Sequence, residues 1–143
     1  MPAFSVPVRP RYGEVDAMGV VYHAHYLVYF ELGRTEYMRS RGIPYASLEE
    51  RGLRLAVVDA GLRYLRPARY DQECRVEAEV GELGRARVLF RYRMLGPGDE
   101  LLASGHTELG CLNASGRPTR LPEDVIRALA PGSPAPTSAS AGG

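Results

Sequence analysis

The chain has 143 residues and a formal net charge of +1, with 45% hydrophobic and 24% charged residues; this is ordinary for one soluble globular domain with a real core. So small a charge gives no global attraction to nucleic acid or to an anionic membrane surface, and no apolar stretch approaches the roughly 18 residues that a membrane span needs. All 18 basic residues are arginine, which a GC-rich genome or a thermophilic source explains without reference to function.

The opening segment, MPAFSVPVRPRYG, lacks an uninterrupted apolar run, so no secretory signal and a cytoplasmic location are expected. Within it Phe4, Val6 and Val8 alternate with Ser5, Pro7 and Arg9, which predicts a short strand placed at an edge by its prolines. From about Ala24 to Arg41 the apolar residues Leu27, Phe30, Tyr37 and Met38 recur at helical spacing. Gly42 and Pro44 stop that helix. Its first half is apolar nearly all round, which predicts an enclosed helix; a strand over Val20 to Phe30 is the rival, and length favours the helix.

Four strand-like segments follow. The stretch LRLAVVDAGLRYLRPARY puts Leu62, Tyr64 and Arg66 on one face and closes at Pro67. In ECRVEAEVGEL, Cys74, Val76, Ala78 and Val80 face one way and Glu73, Arg75, Glu77 and Glu79 the other. RARVLFRYRML repeats the alternation, GPGDE makes a hairpin turn, and LLASGHTELGCLNASGRPT ends at the Asn113–Gly116 turn. LPEDVIRALA then reads as a short terminal helix with Val125, Ile126 and Leu129 on one face. The two cysteines, Cys74 and Cys111, lack CxxC spacing and are expected as half-buried free thiols. Residues 131–143, all Pro, Gly, Ser, Ala and Thr, read as a disordered tail. The remainder, 1–130, is then a single α+β domain: an antiparallel sheet wrapped around one central helix, with an edge strand open to a second copy.

The stretch ahead of the helix carries the chemistry. A helix N-terminus offers unpaired N–H groups and a partial positive charge, which polarise a carbonyl and stabilise the oxyanion formed on attack. Asp16 lies just upstream, and Gly19 lets the backbone approach a ligand closely. A carboxylate there can act as nucleophile or as general base toward water, a combination suited to hydrolysis of an activated acyl group such as a thioester. The ordinary task of such an aspartate is a turn or helix cap. His23 and His25, two residues apart, point to different faces and have no third ligand, so no metal site is expected.

The run Asp16, Ala17, Met18, Gly19, Val20, Val21, Tyr22, His23, Ala24, His25, Tyr26 resembles the signature of the hotdog-fold acyl-CoA thioesterases of the 4-hydroxybenzoyl-CoA thioesterase superfamily, nearest to their Tol–Pal-associated subgroup. The later Arg34–Glu36 and Arg66–Asp71 stretches match as well. The resemblance implies that Asp16 is the catalytic carboxylate and that His23 occupies the place whose backbone N–H polarises the thioester carbonyl. It also implies that Gly19, Val20, Val21, Tyr22 and Tyr26 line the substrate site. Arg85 and Arg87 are candidates for the CoA phosphates. No cofactor is implied beyond the acyl-CoA substrate itself, and the expected partner is a second copy, in dimers that pair into tetramers. Met18 stands where Gly is common and is expected to narrow the pocket; Glu14 replaces a frequent Asp, away from the proposed chemistry. Two rival activities are a non-catalytic acyl-CoA or acyl-carrier binding module and a hotdog enoyl-CoA hydratase; the latter needs a His–Asp pair, and none is evident in the sequence.

Overall fold

The computed structural model describes residues 3–131; the tail reading over 131–143 therefore lies almost wholly outside it. One five-stranded antiparallel sheet has the order β1-β3-β4-β5-β2, built from β1 (Ser5–Val8), β2 (Arg54–Tyr64), β3 (Cys74–Leu83), β4 (Arg87–Leu95) and β5 (Leu101–Leu112). The long helix α1 (His25–Ser40) packs on one face, mainly over β3. Two short helices, α2 (Tyr45–Glu50) and α3 (Glu123–Leu129), complete the fold, with 3-10 turns at Tyr12–Glu14 and Pro97–Asp99. This is an α+β hotdog fold, as expected, with α2 added between α1 and β2.

The alternation read in the sequence becomes the core. Cys74, Val76, Ala78 and Val80 of β3, and Val88, Phe90, Tyr92 and Met94 of β4, all point to the buried side. Phe30 of α1 stacks on Tyr92 with ring centroids 4.8 Å apart. Gly33 brings the helix down to β3: a Cβ built there would stand 2.7 Å from Val76 Cγ1. The buried polar residue Thr107 is paired with the Tyr92 hydroxyl at 2.6 Å and reached by Arg34 Nη1 at 3.5 Å. Both thiols are unbridged and fully buried rather than half-buried; burial pushes the Cys74 thiol up to about 11.

Both α1 and α2 end in the same way. The Ile43 N–H bonds the Met38 carbonyl and the Gly42 N–H that of Arg39, while Leu53 and Gly52 repeat the pattern on Leu48 and Glu49. With Gly42 and Gly52 at φ +81 and +74, these are two Schellman caps, each followed by an apolar residue that folds back on the helix.

The helix is not enclosed on all sides. Val28 and Leu32, on the side turned from the sheet, are 50% and 41% exposed. On β2 the inward-facing Val57 and the bulge residue Val58 are also open, at 52% and 49%, because α1 does not reach across to that edge.

Candidate active site

Residues 14–22 form a small hairpin ahead of α1. The Tyr22 N–H bonds the Glu14 carbonyl at 3.0 Å and the Asp16 N–H bonds that of Val20 at 2.9 Å, around a Val15–Val21 bridge. Asp16 makes the tight turn. Its Oδ1 accepts the Met18 N–H at 2.8 Å and the Val20 N–H at 3.4 Å, and Gly19, at φ +79, supplies the left-handed conformation that closes it. Asp16 is exposed, and among the described residues its Oδ2 has no partner. The capping role and a free carboxylate oxygen thus coexist in one side chain.

The hairpin is held down from the side. The Val21 N–H bonds the Ala68 carbonyl at 2.8 Å, the Tyr70 N–H bonds that of Gly19 at 3.0 Å, and Tyr26, itself buried, accepts the Ala68 N–H on its hydroxyl. Tyr64 of β2 stands edge-on to Tyr26 and donates its hydroxyl to the His23 carbonyl at 2.7 Å. That bond fixes the peptide at 23. Among the described residues the backbone N–H of His23 has no acceptor, and the residue before α1, Ala24, offers no side-chain cap. Free donors therefore remain where the chain enters the helix.

Of the residues singled out in the sequence, Val21, His23 and Tyr26 line one recess of about 270 Å³ together with Tyr64 and Leu65. Tyr64 and Leu65 were missed as site residues; the signal for them was their position just before the Arg66–Asp71 match. Gly19 and Val20 belong to the turn and to a bridge with Arg69. Tyr22 points outward, 53% exposed and tilted on the His23 ring. Met18 is 79% exposed at the hairpin tip and narrows nothing within the chain.

Arg85 and Arg87 lie elsewhere. The Arg85 carbonyl accepts the Leu121 N–H, and Arg87 pairs with Glu108 at 2.6 Å. Along β5, Ala103 faces Tyr64 while Gly110 faces Arg87; those seven residues of strand separate the two ends by about 23 Å within one chain. Among the described residues no three His, Cys, Asp or Glu side chains gather as metal ligands would.

A groove of about 780 Å³ on the outer face of the sheet contains a His–Asp pair: His106 Nε2 is 2.8 Å from Asp59 Oδ2. The expectation that no such pair exists is corrected here. Its members meet across β2 and β5 from positions 47 residues apart, which no local motif could reveal. Register places them on the face away from α1, with Thr107 and Ala60 between them and the helix side.

Comparison with known proteins gives consistent results. The chain matches the thioesterase-like superfamily over residues 10–129. It is 36% identical over 128 residues to the acyl-CoA thioesterase YbgC of Haemophilus influenzae, covering 88% of this chain and 93% of that one. A crystal structure of a Thermus thermophilus protein superposes with a TM-score of 0.83 at 40% identity, over 87% of this chain and 95% of that one. The DHNA-CoA thioesterase of Staphylococcus aureus superposes with a TM-score of 0.79 at 32% identity, over 82% and 79%. No helix among the described residues is long and apolar enough to cross a membrane.

Proposed function

Since the chain belongs to the thioesterase-like superfamily, we propose that it hydrolyses an acyl-CoA thioester to the free acid and CoA, with Asp16 as the reacting carboxylate. The observation that carries this reading is the hairpin itself. At one end it holds Asp16 with no partner for Oδ2 among the described residues, and at the other it carries the N–H of His23, likewise unpaired among them, to the start of α1.

In the proposed reaction the thioester carbonyl oxygen accepts the His23 N–H. Its carbon is attacked by a water that gives a proton to Asp16, or by Asp16 directly. Negative charge then gathers on the carbonyl oxygen, where backbone donors and the positive end of α1 stabilise it. Collapse breaks the carbon–sulfur bond and releases the CoA thiolate. If Asp16 attacks first, water hydrolyses the resulting anhydride and restores the carboxylate.

The acyl group would lie in the recess beside Tyr26 and Tyr64. A short or aromatic acyl group suits those ring walls, and the DHNA-CoA thioesterase of S. aureus is a relative named for such a substrate. The recess is walled in part by Tyr64, at the end of the edge strand β2, which supports completion of the site by a second copy. Dimers, and tetramers made from them, follow as part of this proposal. The His106–Asp59 pair gives no comparable support to a hydratase, since it lies on the sheet face away from α1 and its free donors.

The test is thiol release from short, long and aromatic acyl-CoAs by wild type and Asp16→Asn. Asparagine keeps an oxygen for the Met18 N–H and so preserves the turn while removing the charge. Turnover should fall by about 10²–10⁴-fold, with circular dichroism unchanged. Undiminished turnover in Asp16→Asn would remove Asp16 from the mechanism, and absence of thiol release from every substrate would leave a binding module as the better reading.

A further inference from the structure

Glu14, two residues before Asp16, is far more than a neighbour in the chain. Its carboxylate, only 16% exposed, accepts on Oε1 both the Tyr29 hydroxyl and the Arg11 N–H, each at 2.8 Å. Its Oε2 stands 3.2 Å from His25 Nε2 and 3.6 Å from Arg11 Nε. Its carbonyl accepts the Tyr22 N–H that closes the hairpin. One residue therefore grips the hairpin bearing Asp16 and the first two turns of α1.

His25 is the anomaly in this cluster. Its Nε2 is buried, yet it makes no aligned hydrogen bond although a carboxylate oxygen is within reach. A polar atom left unpaired in the interior is unfavourable, and in a native fold it asks for an explanation. Two acceptors facing each other, a bare imidazole nitrogen and a carboxylate oxygen, would hold this off-line geometry; a proton on Nε2 would turn it into a charge-assisted bond.

We propose, on the basis of the thioesterase reading, that Glu14 and His25 are a positioning pair that sets the spacing between the Asp16 carboxylate and the His23 N–H, and that a proton on His25 closes it. The surrounding groups leave His25 as the switch. Burial raises the Glu14 carboxyl, but the Arg11 N–H, the Tyr29 hydroxyl, the charge of His25 when it is protonated and that of Arg11 together outweigh this and hold it below the usual range. Burial and Glu14 push the Tyr29 hydroxyl up, and burial pushes Cys74 up, so both remain neutral donors; Tyr26 lies beyond Tyr29 on the same helix. Closure needs the proton on His25 Nε2, and kcat falls when raised pH removes that proton.

The experiment measures kcat and KM against pH for wild type, Glu14→Gln and His25→Gln, and follows the amide resonances of His23 and Gly19 through the His25 titration by NMR. Gln at 14 keeps an oxygen for Tyr29 and Arg11, so the hairpin should stay folded. Wild type should show an alkaline limb in kcat that both variants lack. At the wild-type optimum kcat should drop about ten- to a hundredfold, as an ångström of misplacement does, while KM stays within about twofold. The His23 and Gly19 amides should track His25 in wild type and not in Glu14→Gln. Persistence of the limb in both variants, or a His23 amide indifferent to His25, would overturn the pair. If no acyl-CoA is turned over, the thioesterase reading fails and the NMR arm still decides whether the pair exists.

Discussion

Gly33 shows how a single residue type fixes the distance between layers. A methyl group there would sit 2.7 Å from Val76 Cγ1, and Val76 has no exposed surface into which to move. Gly33→Ala should gain up to about 1 kcal/mol of helix preference but lose about 1–3 kcal/mol to overpacking, a net loss measurable by denaturant unfolding. Nothing in the sequence marked Gly33 as a contact, because its neighbour lies 43 residues away in the chain. The same limit hid the pairing of His106 with Asp59 and of Tyr64 with the His23 carbonyl. Asp16 was legible because its turn, its glycine and its helix are all local. Glu14 was visible as a residue but not as a partner of Tyr29, fifteen positions on.

At the level of elements, the strands were read correctly because their faces alternate and the sheet meets solvent on one side. Helix α2 was overlooked, being one and a half turns long and weakly patterned. Its signature was present nonetheless: Arg51-Gly52-Leu53 repeats Arg41-Gly42-Ile43, and both are helix-terminating caps. Arg51, at the end of α2, bonds Asp124 of α3 twice, at 2.9 and 3.0 Å. That guanidinium, against a small opposing effect of burial, holds the Asp124 carboxyl below its usual range. A depressed carboxyl stabilises the fold above its unfolded pKa, and the contribution is lost as pH falls through the folded value. The melting-temperature difference between wild type and Asp124→Asn should thus be small at neutral pH, both groups being largely exposed. It should vanish in acid, and a difference that grows on acidification would contradict the assignment.

For the molecule as a whole, Val57 and Val58 on β2 form a half-exposed apolar band, and Val28 and Leu32 on the outer side of α1 are open as well. The sequence suggested a fully enclosed helix, since composition records that a face is greasy but not whether sheet or second copy covers it. Val57→Asp places a charge on that band at little cost to the isolated chain, because Val57 is already half exposed. On the proposed pairing of copies it should give monomers in light scattering and reduce thiol release with it; an unchanged mass would place the interface elsewhere. The other rim of the sheet has a different character. Strand β1 is four residues long and carries Pro7, which has no N–H to offer a further strand. Joining two copies through β2 would leave only β1 at either margin, so growth by strand addition ends after one step. The chain can keep one sticky border for assembly without becoming the seed of a fibre, because its opposite border is blunt.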